Sequence, residues 1–177
     1  MPLWDYSNPG IYFVTICTKD MRCFLGDICD SKIQLSYVGQ FARSEWLKTP
    51  SLRPNLRLDA FTVMPNHVHG IIVIEKKVLP GPVAVETHCS ASLPEQTDKK
   101  KPLNRFGPQR QNLASIVRGF KSAVTTSAHA AGFTGFSWQK GYFEHLVRSD
   151  KSLQRIRDYI SGNPFNWPKD EYYPNGL

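Results

Sequence analysis

Two apolar runs separated only by a short Pro-Asn break constrain this chain more than any other feature. Leu58 to Val63 and His67 to Ile74 are rich in β-branched and aromatic residues and read as strands, with Pro65-Asn66 as the turn between them. Strands joined so closely can pair only as an antiparallel hairpin. Helical patterns lie on either side. Ser36 to Leu47 carries a stripe of Val38, Phe41, Ala42 and Trp46, with Ser36 placed to cap it. Leu113 to Ser127 carries Leu113, Ile116, Val117 and Phe120, and Gly132 to Gly135 ends it.

The flanks complete the pattern. Ile11 to Cys17 reads as a buried strand, and Lys19, Asp20 and Arg22 as a polar turn after it. Phe136 to Gln139 and Tyr142 to Val147 read as short strand-like pieces. Asp150 to about Gly162 is a last helix, capped by Ser149 or Asp150 and stopped by Gly162 and Pro164. The order is β-α-β-β-α-β-α. Its first six elements make the split unit of a ferredoxin-like (RRM-like) α+β fold. The expected architecture is an antiparallel sheet with helices on one face and one extra C-terminal helix.

A length of 177 residues and 41% hydrophobic content suit a single domain with a buried core. The stretch from about 78 to 110 breaks the pattern. Pro80, Pro82, Pro94, Pro102 and Pro108 interrupt it, and Lys99-Lys100-Lys101 is a basic run, so it reads as a mobile insert. A net charge of +7 and a pI near 9.3 favour polyanionic partners. Cys17, Cys23, Cys29 and Cys89 form no C-x-x-C pair and read as free thiols of a reducing cytoplasm. No signal peptide pattern is present, and no apolar stretch approaches the length that spans a bilayer.

Chemistry gathers at the start of the third strand. His67 and His69 are two apart, so they project from one face and can chelate one divalent metal. Alone, a His-x-His strand is more often structural than a metal site. On the last helix Leu153, Ile156 and Ile160 form the apolar stripe, and Tyr159 and Asn163, four apart, share a face at its edge. Alone, Tyr159 reads as a packed helix-edge tyrosine and Asn163 as a terminator before Pro164.

Together these segments resemble the one-tyrosine HUH transposases, and among them the REP-associated tyrosine transposases of the IS200-like group. The resemblance is carried by Met64-Pro65-Asn66-His67-Val68-His69, by Trp138-Gln139-Lys140-Gly141-Tyr142-Phe143-Glu144-His145, and by Arg157-Asp158-Tyr159-Ile160-Ser161-Gly162-Asn163-Pro164. It implies a bacterial, cytoplasmic enzyme that cleaves and rejoins single-stranded or hairpin DNA through a 5′-phosphotyrosine. Tyr159 would be the nucleophile. His67, His69 and Asn163 would hold Mg²⁺ or Mn²⁺, although two imidazoles also suit Zn²⁺. Relatives occur as monomers and as homodimers, and both states stay open, as does a catalytic helix serving its own subunit or its partner's.

Further residues are expected to support that chemistry. Arg118, Lys121 and Lys140 are candidates for DNA phosphates. Glu144 and His145 could assist proton transfer or orient a ligand, or form a structural pair at a turn. Trp138 and Tyr142 could stack on bases, with core packing the better reading of Trp138. Two other functions compete. A non-catalytic nucleic-acid-binding ferredoxin-like module has no need of His67, His69 and Tyr159 together, and no clear RNP-type strand is found. A two-histidine phosphoesterase wants two His-x-Ser/Thr strands, and only one histidine strand occurs.

Overall fold

The computed structural model describes residues 9–75 and 112–174. The expected insert at 78–110 lies outside them. The first described element is β1 (Gly10–Cys17), followed by a small hairpin of β2 (Gly26–Cys29) and β3 (Lys32–Leu35). Helix α1 (Tyr37–Lys48) leads into β4 (Leu56–Val63) and β5 (His67–Ile74). Helix α2 (Leu113–Ala130), strand β6 (Phe143–Val147) and helix α3 (Asp150–Asn166) complete the order. The main sheet runs β4-β5-β1-β6 with every neighbour antiparallel. This is the ferredoxin-like α+β arrangement that the sequence pattern predicts.

Alternation along the strands sorts the side chains onto two faces. Tyr12, Val14 and Ile16 of β1 join Val68, Ile72 and Ile74 of β5 in the core beneath α1 and α2. Ile11 and Phe13 join Ile71 and Val147 on the opposite face, where Leu153, Ile156 and Ile160 of α3 cover them. Strand β5 is therefore buried along its whole length. Gly70 permits this packing, because a Cβ there would run into the ring of Trp46 from α1. All three helices begin on side-chain caps: Ser36 accepts from Gly39 N, Asn112 from Ser115 N and Ser149 from Ser152 N.

Two features depart from the expected elements. The β2–β3 hairpin occupies a stretch that carries no strand pattern. Its turn residues Asp30 and Ser31 have φ of 50° and 60°, as a type I′ turn requires. Helix α3 also runs past Gly162 and through Pro164 to Asn166. Tertiary anchors outweigh the hydrogen bond that proline removes: Asn163 and Trp167 are both buried, and within the helix Asn166 Nδ2 donates locally to Gly162 O at 3.0 Å.

A β-bulge fixes where α3 lies. The register between β4 and β5 slips by one residue between Leu58 and Phe61, which turns Asp59 toward the helix. Its carboxylate accepts two bonds from Arg157, Nε to Oδ1 at 2.9 Å and Nη2 to Oδ2 at 2.7 Å. The Arg157 guanidinium holds the Asp59 carboxyl below its ordinary range.

Candidate active site

His67 and His69 stand on the α3 face of β5, their ring centroids 4.3 Å apart. Each ring is fixed through Nδ1. Asn66 spends both N–H bonds of its amide, on Met21 O at 3.0 Å and Tyr172 O at 2.7 Å. Its oxygen therefore faces His67 Nδ1 at 2.8 Å and accepts from it. That tautomer leaves the lone pair of His67 on Nε2, which is buried with no hydrogen-bond partner among the described residues. His69 Nδ1 lies 2.8 Å from Thr15 Oγ1, from the neighbouring strand. With Nδ1–H donated there, His69 Nε2 accepts from the Tyr159 hydroxyl at 3.2 Å. Burial pushes both imidazoles down to a pKa of about 3, so both are neutral at physiological pH.

Helix α3 supplies the other wall. Ile160 points into the apolar layer, while Tyr159 stands half-exposed at its edge with its ring against Phe13 and His69. One turn on, Asn163 is 2% exposed. Its Nδ2 donates to Asp170 Oδ2 at 2.7 Å, and its Oδ1 is buried without a partner. Asp170 is held from its other oxygen by Tyr172 N at 2.7 Å. These groups surround a cavity of about 610 Å³ lined by Thr15, His69, Tyr159, Asn163, Asp170 and Tyr172 among others. Burial pushes the Tyr159 phenol up to about 12, and the nearby Asp170 and Glu171 carboxylates add to the shift. The resting nucleophile candidate is therefore a neutral phenol.

The cluster fits a divalent cation. One donor atom from each of His67, His69 and Asp170 lies within 4.8 Å of the others. Both imidazoles are already neutral, as ligation requires. The unpartnered His67 Nε2 and Asn163 Oδ1 are lone-pair atoms without a donor, which a cation would satisfy. Two nitrogens with carboxylate and amide oxygens suit Mg²⁺, Mn²⁺ or Zn²⁺.

No family model matches the chain. An uncharacterised protein of Haemophilus influenzae is 36% identical over 96% of this chain and 88% of its own length. A second protein of the same organism, named "Putative REP-associated tyrosine transposase", is 24% identical over 96% of this chain and 83% of its own length. In fold, the chain matches the structure of a REP-associated tyrosine transposase bound to a REP hairpin. The TM-score is 0.57 at 22% identity, covering 94% of this chain and 73% of that one. In sequence and in fold, the chain is thus similar to REP-associated tyrosine transposases.

Within this fold, His67, His69, Tyr159 and Asn163 converge in one chain. The other expected site residues are placed differently. Glu144 and His145 are split by strand alternation: His145 pairs with Phe13 on the α3 face, while Glu144 pairs with Val14 and faces the other way. Lys121 donates to the carbonyls of Gln139 at 2.6 Å and Gly141 at 2.7 Å, which gives it a structural role in pinning that turn. Arg118 and Lys140 are exposed. Trp138 packs against Phe120 and Phe136, as its core reading expects. Asp170, Tyr172 and Thr15 are the additions to the site. Asp170 carries no local signal beyond being a carboxylate seven residues after Asn163. No described helix is long and apolar enough to cross a membrane.

Proposed function

We propose that this chain is a metal-dependent transposase that cleaves and rejoins single-stranded DNA at hairpin or palindromic repeat ends. The observation that carries the reading is the Tyr159 hydroxyl 3.2 Å from His69 Nε2, beside the unpartnered Nε2 of His67. The matched structure of a hairpin-bound REP-associated transposase supports the substrate class, as does the net charge of +7.

The residues divide the work as follows. The Tyr159 oxygen attacks a phosphodiester phosphorus. The new bond is phosphorus to phenolic oxygen, and the bond to the 3′ oxygen breaks. The phenol proton passes to water and the departing 3′ oxygen takes one from water, leaving a 5′-phosphotyrosine and a free 3′-hydroxyl. The reverse attack by another 3′-hydroxyl rejoins the strand and releases Tyr159. His67, His69, Asp170 and Asn163 would hold Mg²⁺ or Mn²⁺, which supplies positive charge to polarise the scissile phosphate and favour the phenolate. Asn66 and Thr15 engage the two imidazoles through Nδ1, which leaves both Nε2 atoms to a cation. Phe13 packs edge-on to the Tyr159 ring at 6.2 Å and limits its swing.

Incubation with labelled hairpin DNA in Mn²⁺ tests the reading. A denaturant-stable protein–DNA adduct is expected, absent in Tyr159→Phe. An adduct that survives Tyr159→Phe removes this tyrosine from the nucleophile role. Absence of an adduct on every hairpin from the host's palindromic repeats, with binding retained, favours a non-catalytic binding module.

A further inference from the structure

Beside the cavity lined by His69 runs a second groove, about 340 Å³, between β6 and α3. Phe13, Phe143, His145, Arg155, Ile156 and Tyr159 line it. We propose that this groove is a base-stacking subsite, in which Phe143 takes the face of one unpaired nucleobase adjoining the phosphate presented to Tyr159. The inference rests on the strand-cleavage reading and specifies how the unpaired DNA is held.

Phe143 is the central observation. It lies on the same face of the sheet as Thr15 and the histidines, yet it is 55% exposed. What marks Phe143 is not its exposure alone but that it shares an open groove with the rings of Phe13 and half-exposed Tyr159, so the three form one aromatic patch. Its neighbours hold it in place without covering it. Phe13 meets it edge-on at a centroid distance of 6.4 Å and an interplanar angle of 69°, and makes a like contact with Tyr159. The three rings thus form a continuous path from an exposed aromatic face to the reactive hydroxyl.

The charges around the groove favour a nucleotide over an apolar partner. Arg155 precedes Tyr159 by four residues, so both side chains flank one side of α3. Arg155 is exposed and makes no ion pair with a described residue. His145 faces it from β6. Among the described residues no carboxylate lines this groove; Asp170 and Glu171 line the neighbouring cavity, which Phe13, Phe143 and Tyr159 also border. A strand laid past Tyr159 would therefore meet the aromatic ring with a base and the guanidinium with a phosphate. Stacking of this kind accepts any base, because every base offers a π face.

The test uses two hairpin DNAs, one blunt and one with oligothymidylate tails whose thymines are replaced by 5-iodouracil. Irradiation is expected to crosslink the tail to Phe143, within the tryptic peptide 141–148. Phe143→Ala is expected to weaken binding of the tailed hairpin roughly 10-fold, leave the blunt hairpin unchanged, and be rescued by Phe143→Tyr. Equal affinity of wild type and Phe143→Ala for the tailed hairpin, or crosslinks confined to other peptides, overturns the subsite. A covalent Tyr159 adduct with either of those results leaves the cleavage reading standing and removes the subsite alone. Absence of binding to both hairpins overturns both.

Discussion

Asp59 and Arg157 tie strand β4 to the middle of helix α3 through a two-pronged contact, with both bonds at 2.9 Å or less. Arg157 lies two residues before Tyr159, so the pair sets how α3 is rotated over the histidines. The folded-state pKa of Asp59 is lowered, chiefly by this bond. The sign follows from linkage: the contact stabilises the fold above the ordinary carboxylate pKa of about 4, and that contribution is lost as pH falls through the depressed folded value. Melting temperatures of wild type and Asp59→Asn should therefore differ near neutral pH and converge in acid. A gap that stays constant as pH drops would contradict the assignment.

Gly70 and Trp46 make a second testable pair. Gly70→Ala forces a methyl into the Trp46 ring. The expected cost is about 1–3 kcal/mol, the usual range for overpacking a filled core. Chemical denaturation would measure it. Combining Gly70→Ala with Trp46→Leu should restore part of the loss, since the smaller side chain vacates the space.

Metal binding can be read without DNA. A cation that binds only the folded chain stabilises it by about 2.7 kcal/mol at a hundredfold excess over its Kd. For a chain of this size that is a rise on the order of 5–10 °C in Tm. Mn²⁺ should produce such a rise in wild type and none in His67→Ala. Asp170→Asn should weaken Mn²⁺ affinity roughly 10- to 100-fold, in the range seen when a supporting or ligating group is lost. Equal Mn²⁺ response in all three proteins would remove the cluster from consideration as a metal centre.

Lys121 and Arg118 should behave differently although they are three residues apart on α2. Lys121 is committed to two carbonyls of the 139–141 turn. Lys121→Met should lower stability by about 1 kcal/mol or more. Arg118→Gln should leave stability nearly unchanged. If Arg118 meets a phosphate, the salt dependence of DNA binding should flatten by about one counterion in Arg118→Gln. Paired denaturation curves and salt titrations would separate the two effects.

Elements with strong local signals were legible in the sequence. The β4–β5 hairpin, β1 and the capped helices α1 and α2 combine apolar periodicity with Ser or turn residues at their ends. The β2–β3 hairpin is not legible because its strands are four residues each and Asp30-Ser31 replaces the usual glycine-containing turn. The end of α3 is not legible because Pro164 is a local stop signal overruled by the burial of Asn163 and Trp167. In the site, His67, His69, Tyr159 and Asn163 lie in recognisable motifs. Asp170 is brought in by the short turn at Trp167–Lys169, a segment with no periodicity to mark it. The two carbonyls that Lys121 meets are not legible either, because no sequence pattern marks them.

The placement of α3 over the sheet of its own chain has a genetic consequence. Tyr159 meets His69 within one polypeptide, so under the proposed cleavage reading the nucleophile and the imidazoles act from the same molecule. Mixing Tyr159→Phe protein with His67→Ala protein should yield no adduct beyond that of either alone, because neither molecule can lend the other its missing half. In a cell carrying both alleles, each defective copy would stay defective, and activity would track the number of intact genes.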